Sequence, residues 1–361
     1  MKKKWLPILF VVFLLGGCWD EQLFKNISIV QMVGYEGDPG EITAYFSYPK
    51  ISKDNIEYLV IKGEGISLHA ARIQANKKTN QLLDLSVLEV ALMSDETVTH
   101  NIYDYLDPFY RIPKNRLNAR LVIVEGSMDD YINEQLNLTA ELPDFYSDLI
   151  ESSVLTSESI DVTLQKACTI LFDPGIDLTL PYLQIDKESS NPKLGGAALF
   201  SDMVYTGEYL TTKESVLLNI MRDQIGKQAR LTYQWNHKGK EYPLIIDVEK
   251  AKKKWRIDGE NLKLHATYNL NISINELAVQ SIAKKETINE LEKFLNEKIE
   301  GDMKGIFQKI QDAESDALGI GRQVRAFHPN IWKEGKWHDT YKKIDFDVKV
   351  KSTIYSTGIL Q

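Results

Sequence analysis

The chain is 361 residues long with a formal net charge of −8, and 26% of its residues are charged against 43% hydrophobic. A net negative body is drawn neither to nucleic acid nor to anionic lipid. The length exceeds what one hydrophobic core usually serves, so two or three domains are expected.

The chain opens on Lys2, Lys3 and Lys4, then an apolar run from Trp5 to Leu15, then Gly16-Gly17-Cys18. A basic end, a short greasy core, two small residues and a cysteine are the marks of a lipoprotein signal. The core is too short to span a bilayer, which takes about 20 apolar residues. The expectation is cleavage after residue 17, so that the mature protein begins at Cys18 and carries lipid there. A plain secretory peptide is the alternative. Each buried acyl CH₂ is worth about 0.8 kcal/mol, so the two chains of a diacylglyceryl group hold stably where one would not. Removing the three lysines makes the body more negative still, so the lipid must do the holding.

Residues 18–190 are expected to form a mixed-sheet α/β-type domain. Ile27 to Gly34, Ile42 to Tyr48, Glu57 to Ile61, Ser86 to Met93 and Leu117 to Glu125 read as strands. Ile66 to Thr79 reads as a helix, and Ser94 as the cap of another running to about Leu106. Phe145 to Leu155 and Val162 to Phe172 add two helices. Such alternation favours a sheet flanked by helices. Residues 191–228 form a small middle unit, with strands at Gly195–Phe200 and Met203–Tyr209 and a helix from Thr211 to Met221.

Residues 229–361 carry the clearest pattern; 191–361 can also be counted as one domain. Leu262, Leu264, Ala266, Tyr268, Leu270, Ile272 and Ile274 alternate with polar residues, the period of a strand with one wet face. Leu231–Trp235, Tyr242–Val248 and Ile344–Val350 read as its partners. The basic run Lys250 to Lys254 reads as a solvated turn or edge. From Glu286 to Asp312, Ile288, Leu291, Leu295, Ile299, Met303, Ile306 and Ile310 step by three and four, making one apolar helix stripe that packs on the sheet. The fold class is therefore α+β: mixed and antiparallel sheets flanked by helices, with a wide C-terminal antiparallel sheet on one long helix.

Chemical motifs are sparse. Two cysteines occur; Cys18 is consumed by lipid, which leaves Cys168 as a buried structural thiol and no disulfide framework. His69, His100, His237, His265, His328 and His338 lack metalloprotease spacing and read as solvated or structural. Gly63-Glu64-Gly65 lacks the third glycine of a dinucleotide loop, because Leu68 stands there. Gly319-Ile320-Gly321 reads as a helix stop. Ser281-Ile282-Ala283-Lys284 has no partner motif of a penicillin-recognising enzyme. No catalytic residue and no metal ligand is assigned, and the chain is read as a non-enzyme. Trp332 and Trp337 belong to core or interface, at least one of them buried.

Cys18-Trp19-Asp20 resembles the mature start of the C-type subunit of bacterial spore germination receptors, the Ger(x)C lipoprotein family. Asn26 to Val30 and Gly34-Tyr35-Glu36 resemble the family's first strand and its closing Gly-x-Asp, with glutamate for aspartate. Leu106-Asp107 to Arg111 and Gly175-Ile176-Asp177 to Leu180-Pro181 are similar to two further family segments. So are Gly196 to Phe200 with Met203-Val204 and Gly207. Asp316-Ala317-Leu318-Gly319-Ile320-Gly321 resembles Asp-x-Phe-Gly-x-Gly with Leu318 for the aromatic, and Trp332, Trp337 and Tyr341 fall in the family's tail. The resemblance implies a three-part α+β ectodomain and no known catalysis. It places the protein at the outer face of the cytoplasmic membrane, the inner membrane of the spore. It implies the lipid bilayer and integral A-type and B-type receptor subunits as partners, with the B type binding the nutrient. Trp19 and Asp20 sit beside the lipid, where they either touch headgroups or a partner or serve only as context for signal processing. No cofactor is expected beyond the diacylglyceryl on Cys18, whose amine can take a further acyl chain. The rival readings are a solute-binding lipoprotein of an importer, with a cleft between domains, and a membrane-tethered hydrolase.

Overall fold

The structure, a computed structural model, describes residues 24–51, 56–132, 136, 138, 141–279, 284–333 and 335–357. The signal, Cys18, Trp19, Asp20 and residues 281–283 of the Ser-x-x-Lys match lie outside the described residues.

The first half holds strands β1 (Ile27–Ile29), β2 (Met32–Glu36), β3 (Ile42–Ile51) and β4 (Ile56–Gly65), then helix α1 (Leu68–Asn76). There follow β5 (Leu82–Asp84), β6 (Val90–Ser94), α2 (Ile102–Arg111), β7 (Arg120–Val124), α3 (Asp129–Ile132), α4 (Leu142–Leu155) and α5 (Leu164–Leu171). Next come β8 (Thr179–Ile185), β9 (Pro192–Ser201), β10 (Val204–Thr211) and α6 (Thr212–Arg222). Eight of these strands form one sheet in the order β10-β9-β8-β7-β6-β2-β3-β4. Its centre is parallel and buried on both faces, which is why β6 and β7 read as unbroken apolar runs. Val33, Tyr35, Ala91, Met93, Leu121 and Ile123 face the larger core. Their neighbours Met32, Val90, Leu92, Val122 and Val124 face a smaller one with Tyr131 of α3 and with Tyr146 and Ile150 of α4. This is the two-residue alternation of a strand.

The second half holds β11 (Arg230–His237), β12 (Lys240–Asp258), β13 (Lys263–Glu276), α7 (Lys285–Asp312), α8 (Ile320–Phe327), α9 (Trp337–Tyr341) and β14 (Asp345–Ser356). Four strands pair in the order β11-β12-β13-β14. Leu264, Ala266, Tyr268, Leu270, Ile272 and Ile274 are buried, as their alternation requires. On α7 the stripe Leu291, Leu295, Ile299, Met303, Ile306 and Ile310 is buried, with Thr287 turned inward where Ile288 was expected.

Several expectations need correction. β14 runs parallel to β13, so the sheet is mixed; the chain crosses over through α7 before β14, and a crossover returns it in the same direction. Ser94 closes β6, and Asn101 caps α2 through Tyr103 N–H at 2.9 Å. Ser94 Oγ instead takes Thr97 N–H in a local turn. Lys250 to Lys254 lie within β12, paired along their length with β13 after a bulge at Val248/Lys250. Residue 190 lies at the turn joining the paired strands β8 and β9, so one sheet draws strands from both sides of it. Leu262 belongs to a turn with positive φ, ahead of the strand. Gly63 and Gly65 let α1 lie against β4, since a Cβ there would meet the backbone of Ala71 at 2.1 and 2.6 Å.

An edge strand exposes unpaired backbone N–H groups. On β14 these are met by α7: Val350, Ser352 and Ile354 N–H donate to Glu300 Oε1 (2.7 Å), Asn296 Oδ1 (2.7 Å) and Glu292 Oε1 (2.9 Å). The acceptors are four residues apart, one helical face, and the donors are two apart, one strand edge. Asn296→Ala removes the acceptor of Ser352 N–H and should cost about 1–3 kcal/mol. Urea denaturation measures the loss, and hydrogen exchange of the Ser352 amide should quicken with it.

Candidate functional site

The two halves meet where Asp177, just before β8, joins Asp316, between α7 and α8. The backbone N–H of Asp316 donates to Asp177 Oδ2 at 2.7 Å, and that of Asp177 donates to Asp316 O at 3.1 Å. Asp177 Oδ1 accepts Asp202 N–H at 2.8 Å, and His338 Nε2 lies 2.9 Å from Asp177 Oδ2. The Asp316 side chain is fully buried. It accepts Ile320 N–H (2.9 Å), Gly321 N–H (2.7 Å) and Trp337 Nε1–H (2.9 Å). It thus caps the positive end of α8 and holds α9 beside it.

Two glycines make the close approach possible. A Cβ on Gly321 would stand 2.7 Å from Trp337 Nε1, and one on Gly175 would stand 2.6 Å from Arg322 N. Gly319 has φ +71° and leads into α8, so Gly319-Ile320-Gly321 opens a helix where a stop was expected. Arg222, at the end of α6, ties in a further segment. Its Nε donates to Ala317 O at 2.7 Å, and its Nη2 donates to Ala317 O and Thr179 Oγ1.

The segments of the family resemblance at Gly175–Asp177, Asp316–Gly321, Trp337 and Tyr341 therefore converge on one junction, Tyr341 through its hydroxyl on Ser315 O at 2.9 Å. Trp337 is buried and stacks on half-buried Trp332 at 5.4 Å. Glu36 and Asp107 lie elsewhere and serve local structure: Glu36 accepts Met128 N–H at 2.8 Å, and Asp107 pairs with Arg111 at 2.5 Å. Arg222 had no role in the sequence reading, and His338 was read only as one of six solvated or structural histidines; no motif marked either for this junction. Cys168 is half-buried where full burial was expected, and burial pushes its thiol upward.

The junction's chemistry is that of a clasp. Asp177, Asp202 and His338 place one ligand atom each within 4.8 Å of one another, but both Asp177 oxygens already accept backbone N–H groups. Burial pushes Asp316 up to about 6, with Asp177 adding to the rise and the three N–H donors opposing it. The hydrogen bond with Asp177 raises His338 above its ordinary 6.5 against its own desolvation.

Both groups hold a proton more tightly in the folded chain than in the unfolded one. The Asp316 contribution is complete below its ordinary 3.8 and is lost as pH rises through about 6. The His338 contribution is complete below 6.5 and is lost above it, through the raised folded value. Urea denaturation across pH should show these losses in turn, and His338→Gln should remove the upper one while leaving the lower. Gly321→Ala should cost about 1–3 kcal/mol by overpacking against Trp337, read from the denaturation midpoint.

Comparison with known proteins agrees with this architecture. The family model described as "Spore germination protein N-terminal domain" matches residues 20–185, and "Spore germination B3/ GerAC like, C-terminal" matches residues 195–358. Spore germination protein GerQC of Bacillus cereus is 21% identical, over 99% of this chain and 100% of its own length. Spore germination protein B3 of Bacillus subtilis (strain 168) is 22% identical, over 98% of each chain. The crystal structure of the GerBC protein matches 93% of this chain and 99% of its own, with a TM-score of 0.55 and 17% identity, and so has the same fold. The chain belongs to the Ger(x)C family of spore germination proteins.

Proposed function

We propose that this chain is the lipid-anchored, non-catalytic C-type subunit of a nutrient germinant receptor. In this reading it acts through contacts with integral A-type and B-type subunits. The observation that carries the reading is the pair of spore germination models, which together account for residues 20–185 and 195–358. The first opens two residues beyond Cys18, where the signal pattern would place the lipid. Among the described residues no helix is long and apolar enough to cross a membrane, so attachment in this reading rests on acyl chains. Two such chains hold a protein stably, and the tether converts free diffusion into a high local concentration at the membrane plane.

A non-catalytic role is supported by how the junction's ionisable groups are used. Asp177, Asp316 and Arg222 are buried and engaged with backbone groups of other segments. A general acid or base must instead reach a substrate proton. The unlike halves, an eight-stranded mixed sheet and a four-stranded sheet on one helix, also weigh against a solute-binding protein made of two matching lobes.

Cys18→Ala in the full chain should abolish membrane retention in spores and the nutrient response with it. Mass spectrometry of the mature wild-type N-terminus should find the diacylglyceryl adduct on Cys18. An unmodified thiol there, or unaltered germination of the Cys18→Ala spores, would overturn the reading.

A further inference from the structure

Beside the junction, a cleft of about 690 Å³ opens between the halves. Its volume falls in the range of small-molecule sites. Four basic side chains line it, Lys166, Arg222, Lys253 and Arg322. Two are already neutralised: Lys166 pairs with Asp161, and Arg322 with Asp173 at 2.7 Å.

Arg222 and Lys253 are different. Arg222 is 9% exposed. Its Nε and Nη2 are spent on the uncharged oxygens of Ala317 and Thr179, while its Nη1 has no hydrogen bond among the described residues. Lys253 Nζ donates to the backbone oxygen of Arg222 at 2.9 Å and lies 4.3 Å from the Trp255 ring centroid. Among the described residues neither cation is in an ion pair. Asp316 acts on Arg222, and Asp223 on Lys253, through space only. A buried guanidinium without a contacting carboxylate is costly, and Lys253, which is exposed, adds a second positive charge beside it. Accordingly burial draws Arg222 down to about 10, and partial desolvation with the charge of Arg222 draws Lys253 below its ordinary 10.5, against the pull of Asp223.

The strand places Lys253 here on purpose of register. Side chains alternate along β12, so Lys253 shares the face of buried Ala251 and of Trp255, while Lys252 and Lys254 point to the other side. Ile160, Ile170, Ile176, Ile225 and Leu318 supply apolar wall.

We infer that this cleft binds a small organic carboxylate, with its anionic end on Arg222 Nη1 and Lys253 Nζ and its apolar body against the isoleucine wall and Trp255. The inference is independent of the receptor reading, since it needs neither anchor nor partner subunits. Charge-assisted bonds from guanidinium and ammonium to a carboxylate are the strong class, and an apolar wall favours an organic anion over inorganic phosphate.

The test is calorimetry on the full chain in detergent with phenylacetate, 4-methylpentanoate and succinate. The controls are 2-phenylethanol, a neutral counterpart of phenylacetate, and inorganic phosphate. At least one carboxylate with an apolar body should bind, 2-phenylethanol should bind at least tenfold more weakly than phenylacetate, and phosphate should not compete. Lys253→Met should weaken carboxylate binding at least tenfold. Lys252→Met, one residue away on the opposite face, should leave it unchanged. Arg222→Met should abolish binding, but Arg222 also bonds to two other segments, so Lys253→Met decides if that variant fails to fold. Three silent carboxylates, equal loss in the Lys252 and Lys253 variants, or phosphate binding as tightly as the carboxylates would each overturn the inference.

Discussion

A carboxylate with no access to water fixes the geometry of this protein. Burying an ionised Asp316 costs several kcal/mol unless its oxygens are satisfied. Three N–H donors satisfy them here, from Ile320, Gly321 and Trp337. Those donors can reach only if α8 begins where it does, if Gly321 has no side chain, and if α9 lies against it. The backbone of the same residue is then bound to Asp177, 139 positions away. One residue thus dictates a helix start, a tryptophan's position and the seating of the second half on the first.

Local patterns in the sequence reveal elements whose structure local forces decide. The alternation in β13 and the stripe on α7 are read correctly because each faces one apolar layer along its whole length. Ser94 misleads because a serine after a strand can serve a turn as readily as a helix, and Asn101 wins by standing directly before Ile102. The lysines of β12 look like a turn because four of five consecutive residues are basic. A strand with one wet face accepts Lys250, Lys252 and Lys254, their stems lying along the sheet while their charges reach water, and Lys253 on the other face lines the cleft beside Trp255. The stretch just before residue 191 closes a hairpin inside one sheet, a pairing that its own residues do not announce.

The junction was legible only in pieces. Gly175 to Asp177 and Asp316 to Gly321 stand out as segments, and nothing within either says that they touch. Their contact is non-local, as is that of Arg222 with Ala317 across 95 residues. An arginine at a helix end carries no sign that it will be buried or lack a carboxylate. The parallel return of β14 is likewise hidden, because a strand's own sequence records which face is apolar and not which way its neighbour runs.

These contacts bear on how the body can move. Domains joined by a small polar interface rotate readily. Here buried residues of the eight-stranded sheet, of α6 and α7 and of the four-stranded sheet form one continuous core, and the Asp316 clasp lies across the same junction. Rotating one half against the other would expose apolar surface and strand a carboxylate and a guanidinium together. Hinge motion between the halves is therefore opposed by the shared core and by the clasp. The two halves are thus linked by packed side chains as well as by the clasp, a continuous physical connection of the kind that coupling between distant surfaces requires.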